Sequence, residues 1–158
     1  WDKRWTWGYF RPQLRIKHLS YTLDSDGDAL EKSPSVTVPV ASVDSSIFLE
    51  RDSSWLTGFT QTLEPRLYYV KAAFKDQSNF PVFDTREFTP SYDRLFRDER
   101  FNGGDRISDE ERLTIALTTR FIDKASGQER FTASIAQSIN YIDCYGSIGT
   151  YEDVISNW

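Results

Sequence analysis

Between Leu113 and Phe121 the odd positions are Leu113, Ile115, Leu117, Thr119 and Phe121, and the even ones are Thr114, Ala116, Thr118 and Arg120. A period of two sustained over that length describes a strand with one apolar and one polar face. The pattern recurs. Phe131, Ala133, Ile135, Ile139 and Tyr141 alternate with Thr132, Ser134, Ala136, Ser138 and Asn140, broken on the odd side only by Gln137. Trp55, Phe59, Leu63, Pro65, Leu67 and Tyr69 alternate with Gly58, Thr60, Thr62, Glu64, Arg66 and Tyr68. Two earlier strands slip in phase. Phe10, Leu14 and Ile16 lie opposite Arg11, Gln13, Arg15 and Lys17, but beyond His18 the apolar positions move to Leu19, Tyr21 and Leu23, which predicts a β-bulge near His18. Val36, Val38 and Val40 are likewise out of phase with Val43, Ile47 and Leu49, and Pro39 is expected at a strand start or a bulge.

The runs 9–23, 36–49, 55–70, 112–122 and 130–142 each exceed the ~5–6 residues of an ordinary globular strand and suffice for the ~9–11 of a tilted transmembrane one. The connections between them alternate strictly. The first, 24–35, is long; 50–54 is short; 71–111 is very long; 123–129 is short. An up-and-down transmembrane barrel sorts its loops this way, with short turns on the periplasmic side and long loops outside. The expected fold is therefore all-β: part of an antiparallel up-and-down transmembrane β-barrel, spanning 1–158 with a long outer loop at 71–111. Five or six strands fall short of the roughly eight that the smallest such barrels use, and an open edge is not tolerated in lipid, so other segments are expected to complete it. The tail from Cys144 to Trp158, within 143–158, alternates only loosely and reads as a sixth strand of undefined bounds. Phe59, Leu63, Leu67, Leu113, Ile115, Leu117, Phe131, Ala133 and Ile135 are expected to face lipid. Thr60, Thr62, Glu64, Arg66, Thr118, Arg120, Ser134 and Ser138 are expected to face the lumen. Trp55, Tyr69, Phe121, Phe131 and Tyr141 fall toward strand ends, where interface aromatics belong.

Composition narrows the functions. A net charge of −5 with both signs mixed along the chain argues against a nucleic-acid partner. The single Cys144 and single His18 leave no ligand set for a transition metal, and no cofactor motif is present. No catalytic site is expected. Asp98 and Glu99, or Asp109 to Glu111, could be set as a glycosidase pair, but adjacent loop acids are ordinarily solvated. His18 has no serine or cysteine partner in any motif. The chain does not open with Met and lacks the layout of a signal peptide, so it reads as a processed product or a piece of something longer. The rival fold is a soluble β-sandwich that binds carbohydrate through exposed aromatics.

Several stretches carry a family likeness. TQTLEPRLYYV (60–70), KDQS (75–78), YDRLFRDERFNGGDRIS (92–108), LTTRFID (117–123) and ERFTASIAQ (129–137), in that order, resemble the LptD family of outer-membrane lipopolysaccharide-assembly proteins. The likeness runs from about residue 7 to 140, fades beyond Tyr141, and covers only an internal part of the family's C-terminal barrel. It implies a role in the outer-membrane translocon of a Gram-negative bacterium that inserts lipopolysaccharide into the outer leaflet. It implies as partners lipopolysaccharide, the lipoprotein plug LptE and, through a periplasmic jellyroll that this chain lacks, the bridge protein LptA. The family's gate-forming first and last strands are not expected to lie within the likeness. Its disulfides join jellyroll to barrel, and Cys144 alone establishes no such pairing.

The stretch RLFRDERFNGGDR (94–106) sits inside the long connector, which also carries Phe80, Phe83, Phe88 and Tyr92 and is too aromatic for a free linker. The resemblance implies that it folds over or into the barrel and helps hold the plug, with Phe96 and Phe101 as anchors. Arg97, Arg100, Asp105 and Arg106 would orient it, and Gly103 and Gly104 would supply a positive-φ turn. Glu64 and Arg66, two apart on one face, are expected in a lumen charge network. Arg11, Arg15 and Lys17 share the polar face of their strand and are candidate contacts for lipopolysaccharide phosphates.

Overall fold

The computed structural model describes residues 1–22, 34–75, 86–87, 91–98, 101–102, 107, 110–141 and 152–157, with backbone alone at 86–87, 101–102 and 152–157. It is an antiparallel sheet. The strands are β1 (Lys3–Trp5), β2 (Gly8–Ser20), β3 (Ser35–Ile47), β4 (Leu49–Asp52), β5 (Phe59–Ala72), β6 (Arg86–Glu87), β7 (Phe101–Asn102), β8 (Glu110–Asp123), β9 (Glu129–Asn140) and β10 (Glu152–Asn157), with a 3-10 helix at Tyr92–Phe96. The main sheet runs β1-β2-β3-β5-β8-β9-β10, with β4 on β5, and β6 and β7 pair separately. Each long strand neighbours the next in sequence, as an up-and-down meander requires. Among the described residues β1 and β10 do not meet, so the sheet is open and forms part of a barrel.

The expected bulge near His18 is absent. β2 and β3 pair without interruption from Gly8↔Ile47 to Ser20↔Ser35, with His18 opposite Thr37. The apolar phase changes because the face itself changes character along its length. Leu19, Val36, Val38 and Val40 all lie on the face that the connector covers, packed with Phe96 and Ile107. Further down the same face the inward residues are polar, Ser42, Asp44 and Ser46, and the apolar ones, Val43 and Ile47, take the opposite side. Pro39 is mid-strand, opposite Ile16. Its carbonyl accepts from Ala73 N at 3.4 Å. Its missing N–H therefore faces β5, at the end of the β3–β5 ladder beyond Val40↔Ala72, and the β2–β3 ladder loses no bond.

The first short turn also moves. β4 continues the β3–β5 register past Phe48 to Asp52↔Thr60, so the turn is 53–58, not 50–54, and β5 starts at Phe59, not Trp55. Ser53 N bonds Phe59 O at 3.0 Å, Ser53 Oγ accepts from Leu56 N at 3.1 Å, and Gly58 takes φ +92°. Trp55 sits in this turn, edge-on to Phe121 at 5.5 Å between centroids. The second short turn uses Gly127 at φ +68°, and β8 and β9 carry a register shift at Phe121/Ile122.

β1 was not legible as a strand: it forms a tight hairpin with β2, Trp5 opposite Gly8, and Trp5 stacks on Trp7 at 5.1 Å. Gly8 is needed there because a Cβ would lie 2.5 Å from Ser46 O. Before β1, Asp2 accepts from Arg4 at 3.0 Å and Arg11 at 3.2 Å. Desolvation opposes its ionisation, but those two guanidiniums outweigh it and hold the carboxyl below the usual carboxylate range. At the far end β10 pairs with β9 from Glu152↔Ser138 to Asn157↔Ala133. Cys144 lies outside the described residues.

Candidate functional site

Alternation gives the sheet two unlike faces. The bare face carries Leu14 (78% exposed), Ile16 (74%), Ile115 (50%) and Ile135 (53%), with Leu63, Leu67, Leu117 and Phe131 between them. Its apolar band is bounded at both ends by polar groups. Near the short turns Arg51 donates to Gln61 Oε1 at 3.0 and 2.8 Å, and Gln61 Nε2 donates to Thr119 at 3.1 Å. Near the long connections Lys71 Nζ donates to Glu111 at 2.9 Å and Tyr69 OH donates to the same carboxylate at 2.7 Å. His18 is on this face, its Nδ1 2.8 Å from Thr37 Oγ1.

The other face is covered by the connector. Leu95 is buried against Ala116 and Ala136, with Tyr92 and Phe96 beside it. Small residues at those two positions admit a side chain where larger ones would push it off. Thr114 Oγ1 donates to Leu95 O at 2.9 Å, and Tyr92 OH lies 3.1 Å from Thr118 Oγ1, itself 2.9 Å from Ser134 Oγ. Thr114, Thr118 and Ser134 thus satisfy groups that burial would otherwise strand, whereas the buried Ser138 Oγ makes no hydrogen bond to a described residue. Phe96 packs edge-on to Tyr68 at 6.3 Å and has the Arg66 guanidinium 3.8 Å from its centroid. Arg66 is held flat for that contact by a two-pronged bond to Asp44, 2.9 Å at both oxygens, and Asp44 also accepts from Tyr9 OH at 3.0 Å.

Two residues past the helix, Asp98 reaches β2. Arg15 Nη1 donates to its oxygens at 3.0 and 2.8 Å, and Lys17 Nζ donates to its carbonyl at 3.1 Å. Arg112 Nη2 donates to Arg97 O at 2.5 Å. Toward the short turns the covered face is charged: Glu64 accepts from Arg120 at 3.0 Å and Thr62 at 3.0 Å, and Arg120 also reaches Glu129 at 2.8 Å.

Several expected residues therefore meet. Thr62, Glu64, Arg66, Thr118, Arg120, Ser134 and Ser138 share the covered face, while Leu63, Leu67, Ile115, Leu117 and Ile135 share the bare one. Glu64 and Arg66 do not bond each other; neighbours on adjacent strands are closer than residues two apart on one strand, so Glu64 takes Arg120 and Arg66 takes Asp44. Arg15 and Lys17 are occupied by Asp98, and Arg11 by Asp2 while lying 4.5 Å over the Tyr9 ring. Phe96 is an anchor on this chain's own wall. Phe101 is in β7 opposite Glu87, with no side chain described. Arg100, Gly103, Gly104, Asp105 and Arg106, like Glu99 and Asp109, lie outside the described residues. Asp44, Thr114, Ala116 and Ala136 were not singled out by sequence; the small-and-polar character of alternate positions on β8 and β9 was the available signal. Among the described residues no group of acidic, histidine or cysteine side chains is arranged to hold a metal.

The family model described as LptD, LPS transport system D, matches residues 1–144. The chain is similar to the LPS-assembly protein LptD of Alcanivorax borkumensis, 46% identical over 139 residues, covering 87% of this chain and 18% of that protein. The protein of the same name from Hahella chejuensis is 43% identical over 146 residues, 92% of this chain and 18% of its own length. That from Xanthomonas oryzae pv. oryzae is 38% identical over 157 residues, 94% and 19%. The chain spans less than a fifth of the length of these relatives.

Proposed function

Because the chain belongs to the LptD family, whose members are lipopolysaccharide-assembly proteins of the Gram-negative outer membrane, we propose that it is one section of the wall of a membrane barrel through which lipopolysaccharide reaches the outer leaflet. The observation that carries this is the bounded apolar band of the bare face. From Gln61 to Lys71 is a rise of ~33 Å along β5 at ~3.3 Å per residue, or about 25 Å of height at a ~40° tilt, the height of the apolar belt of outer-membrane barrels. The polar rims then meet the two headgroup layers. The short turns 53–58 and 124–128 face the periplasm and the long connections face outward.

In this reading the covered face lines a wet lumen, and the connector narrows it. The work is transport without bond-making, since the described acids of the covered face are engaged by cations or hydroxyls. A plug lipoprotein, LptE, docks against the connector beyond Asp98, where Arg100, Phe101, Asp105 and Arg106 are the candidate contacts, and LptA connects through a domain of the longer protein. Nothing favours a soluble sandwich, whose core would bury the large aliphatic side chains that the bare face leaves exposed.

Deleting residues 96–104 from the full-length parent tests the connector's part in this. The expected outcome is weakened plug association and entry of antibiotics that the outer membrane normally excludes, with the strands still heat-modifiable on gels. Survival of both plug binding and exclusion would leave the connector without a role in transport.

A further inference from the structure

The connector is fastened to the wall in two unlike ways. From Tyr92 to Phe96 it is docked by burial and neutral hydrogen bonds, with Leu95 2% exposed. At Asp98 it is held by charge: the carboxylate faces Arg15 at 2.8 Å and Lys17 at 3.7 Å, and the Arg15 side chain is 51% exposed. An ion pair with that access to water contributes little by itself, so an anion that binds the cations better can displace the carboxylate. Beside the pair lies an open cavity of about 180 Å³ whose lining includes Arg11, Arg15, Asp44, Tyr68 and Asp98. Asp44 is already committed to Arg66 and Tyr9. Asp98 is thus a carboxylate shared by Arg15 and Lys17, and its bond to the half-exposed Arg15 is the one open to water.

We propose that Arg15 and Lys17 form an anion-exchange site in which Asp98 is the resident anion supplied by the protein itself. A phosphate or pyrophosphate group entering the cavity brings more charge and more acceptor oxygens than one carboxylate, and Arg15 Nη1, which serves both Asp98 oxygens while Nη2 donates to Gln13 Oε1 at 2.8 Å, can serve two phosphate oxygens in their place. The Asp98 carboxylate is then released, the bonds from Lys17 to Asp98 O and from Arg112 to Arg97 O give way with it, and the charged end of the connector lifts from β2 while the Tyr92–Phe96 end stays docked. The site rests on the reading of the covered face as a water-filled lumen, and it adds to that reading a latch opened by phosphate-bearing ligands.

The test uses the full-length parent in detergent, freed of other reactive thiols, with nitroxide pairs at Ser20→Cys and Arg97→Cys, or at Ser20→Cys and Asp93→Cys. Pyrophosphate is expected to lengthen the first distance and leave the second unchanged, whereas sodium chloride at matched ionic strength changes neither. Asp98→Asn is expected to open the latch without ligand and to bind pyrophosphate up to about fivefold more tightly, the gain that follows from removing one exposed ion pair. Arg15→Gln with Lys17→Gln opens it too but abolishes the pyrophosphate response. Micelles carrying phosphatidic acid, against micelles of uncharged lipid, separate a headgroup from free phosphate: opening by both phosphate forms assigns the bare phosphate group, and opening by the lipid alone assigns a headgroup. Equal opening by chloride, or a closed distance indifferent to every phosphate form, overturns the proposal and leaves the wall intact. A Ser20–Arg97 pair with no closed population before any anion is added would instead remove the lumenal connector on which it rests.

Discussion

On the bare face Leu14, Ile16, Ile115 and Ile135 are 50–78% exposed, while one residue along on neighbouring positions of the covered face Val38, Val70, Thr114 and Ala116 are 0–3% exposed. The larger aliphatic side chains are the ones without protein cover, and the small or hydroxyl-bearing ones are packed. A sheet facing water on one side reverses that order, since its large apolar residues make the core. The difference teaches what each face is solvated by. On the proposed reading the bare face is matched to hydrocarbon, and the covered face to a wet interior into which the protein's own connector is folded.

The most forceful way to break this comparison is a charge in the middle of the bare band. Ile115→Arg is expected to cost ~2–4 kcal/mol in a bilayer, read by equilibrium unfolding of the full-length barrel. A loss near zero would mean that the position meets water. On the covered face the largest effect comes from removing the connector's anchor. Leu95→Ala is expected to weaken docking by about 2 kcal/mol, the low end for such truncations because only one side of the residue belongs to the sheet. A nitroxide at Asp93 should then become mobile while strand content holds. Smallest is the ionic stretch near the short turns, where Glu64→Gln leaves Arg120 its second partner, Glu129. The expected cost is ~0.2–1 kcal/mol, since Arg120 is 40% exposed. A larger loss would show that this stretch is drier than the connector-covered one.

The strands and their facing were legible because a period of two survives wherever one face keeps one solvent, as in β8 and β9. It failed where the covered face changes from apolar to polar side chains midway. Leu19, Val36, Val38 and Val40 are apolar and Ser42, Asp44 and Ser46 polar on one face, and the sequence imitates a bulge that the unbroken register of β2 and β3 excludes. The turn at 53–58 was misplaced because Trp55 happens to keep the phase of β5 while packing on Phe121. The connector's packing against something was legible from its aromatics, but the partners were not. Asp44, 22 residues from Arg66, and Asp98, 83 from Arg15, are brought together only by strand order.

The central claim, that the bare face meets lipid and the covered face water, is tested most directly by collision accessibility in the full-length parent reconstituted in a bilayer. Nitroxides at Leu63, Ile115 and Ile135 are compared with nitroxides at Thr62, Thr114 and Ala136. The first set is predicted to collide with oxygen and be shielded from a water-soluble nickel chelate, and the second set to do the reverse or to be shielded from both where the connector covers it. Nickel access at Leu63, Ile115 and Ile135 equal to that of an exposed turn residue such as Ser126 would contradict the account.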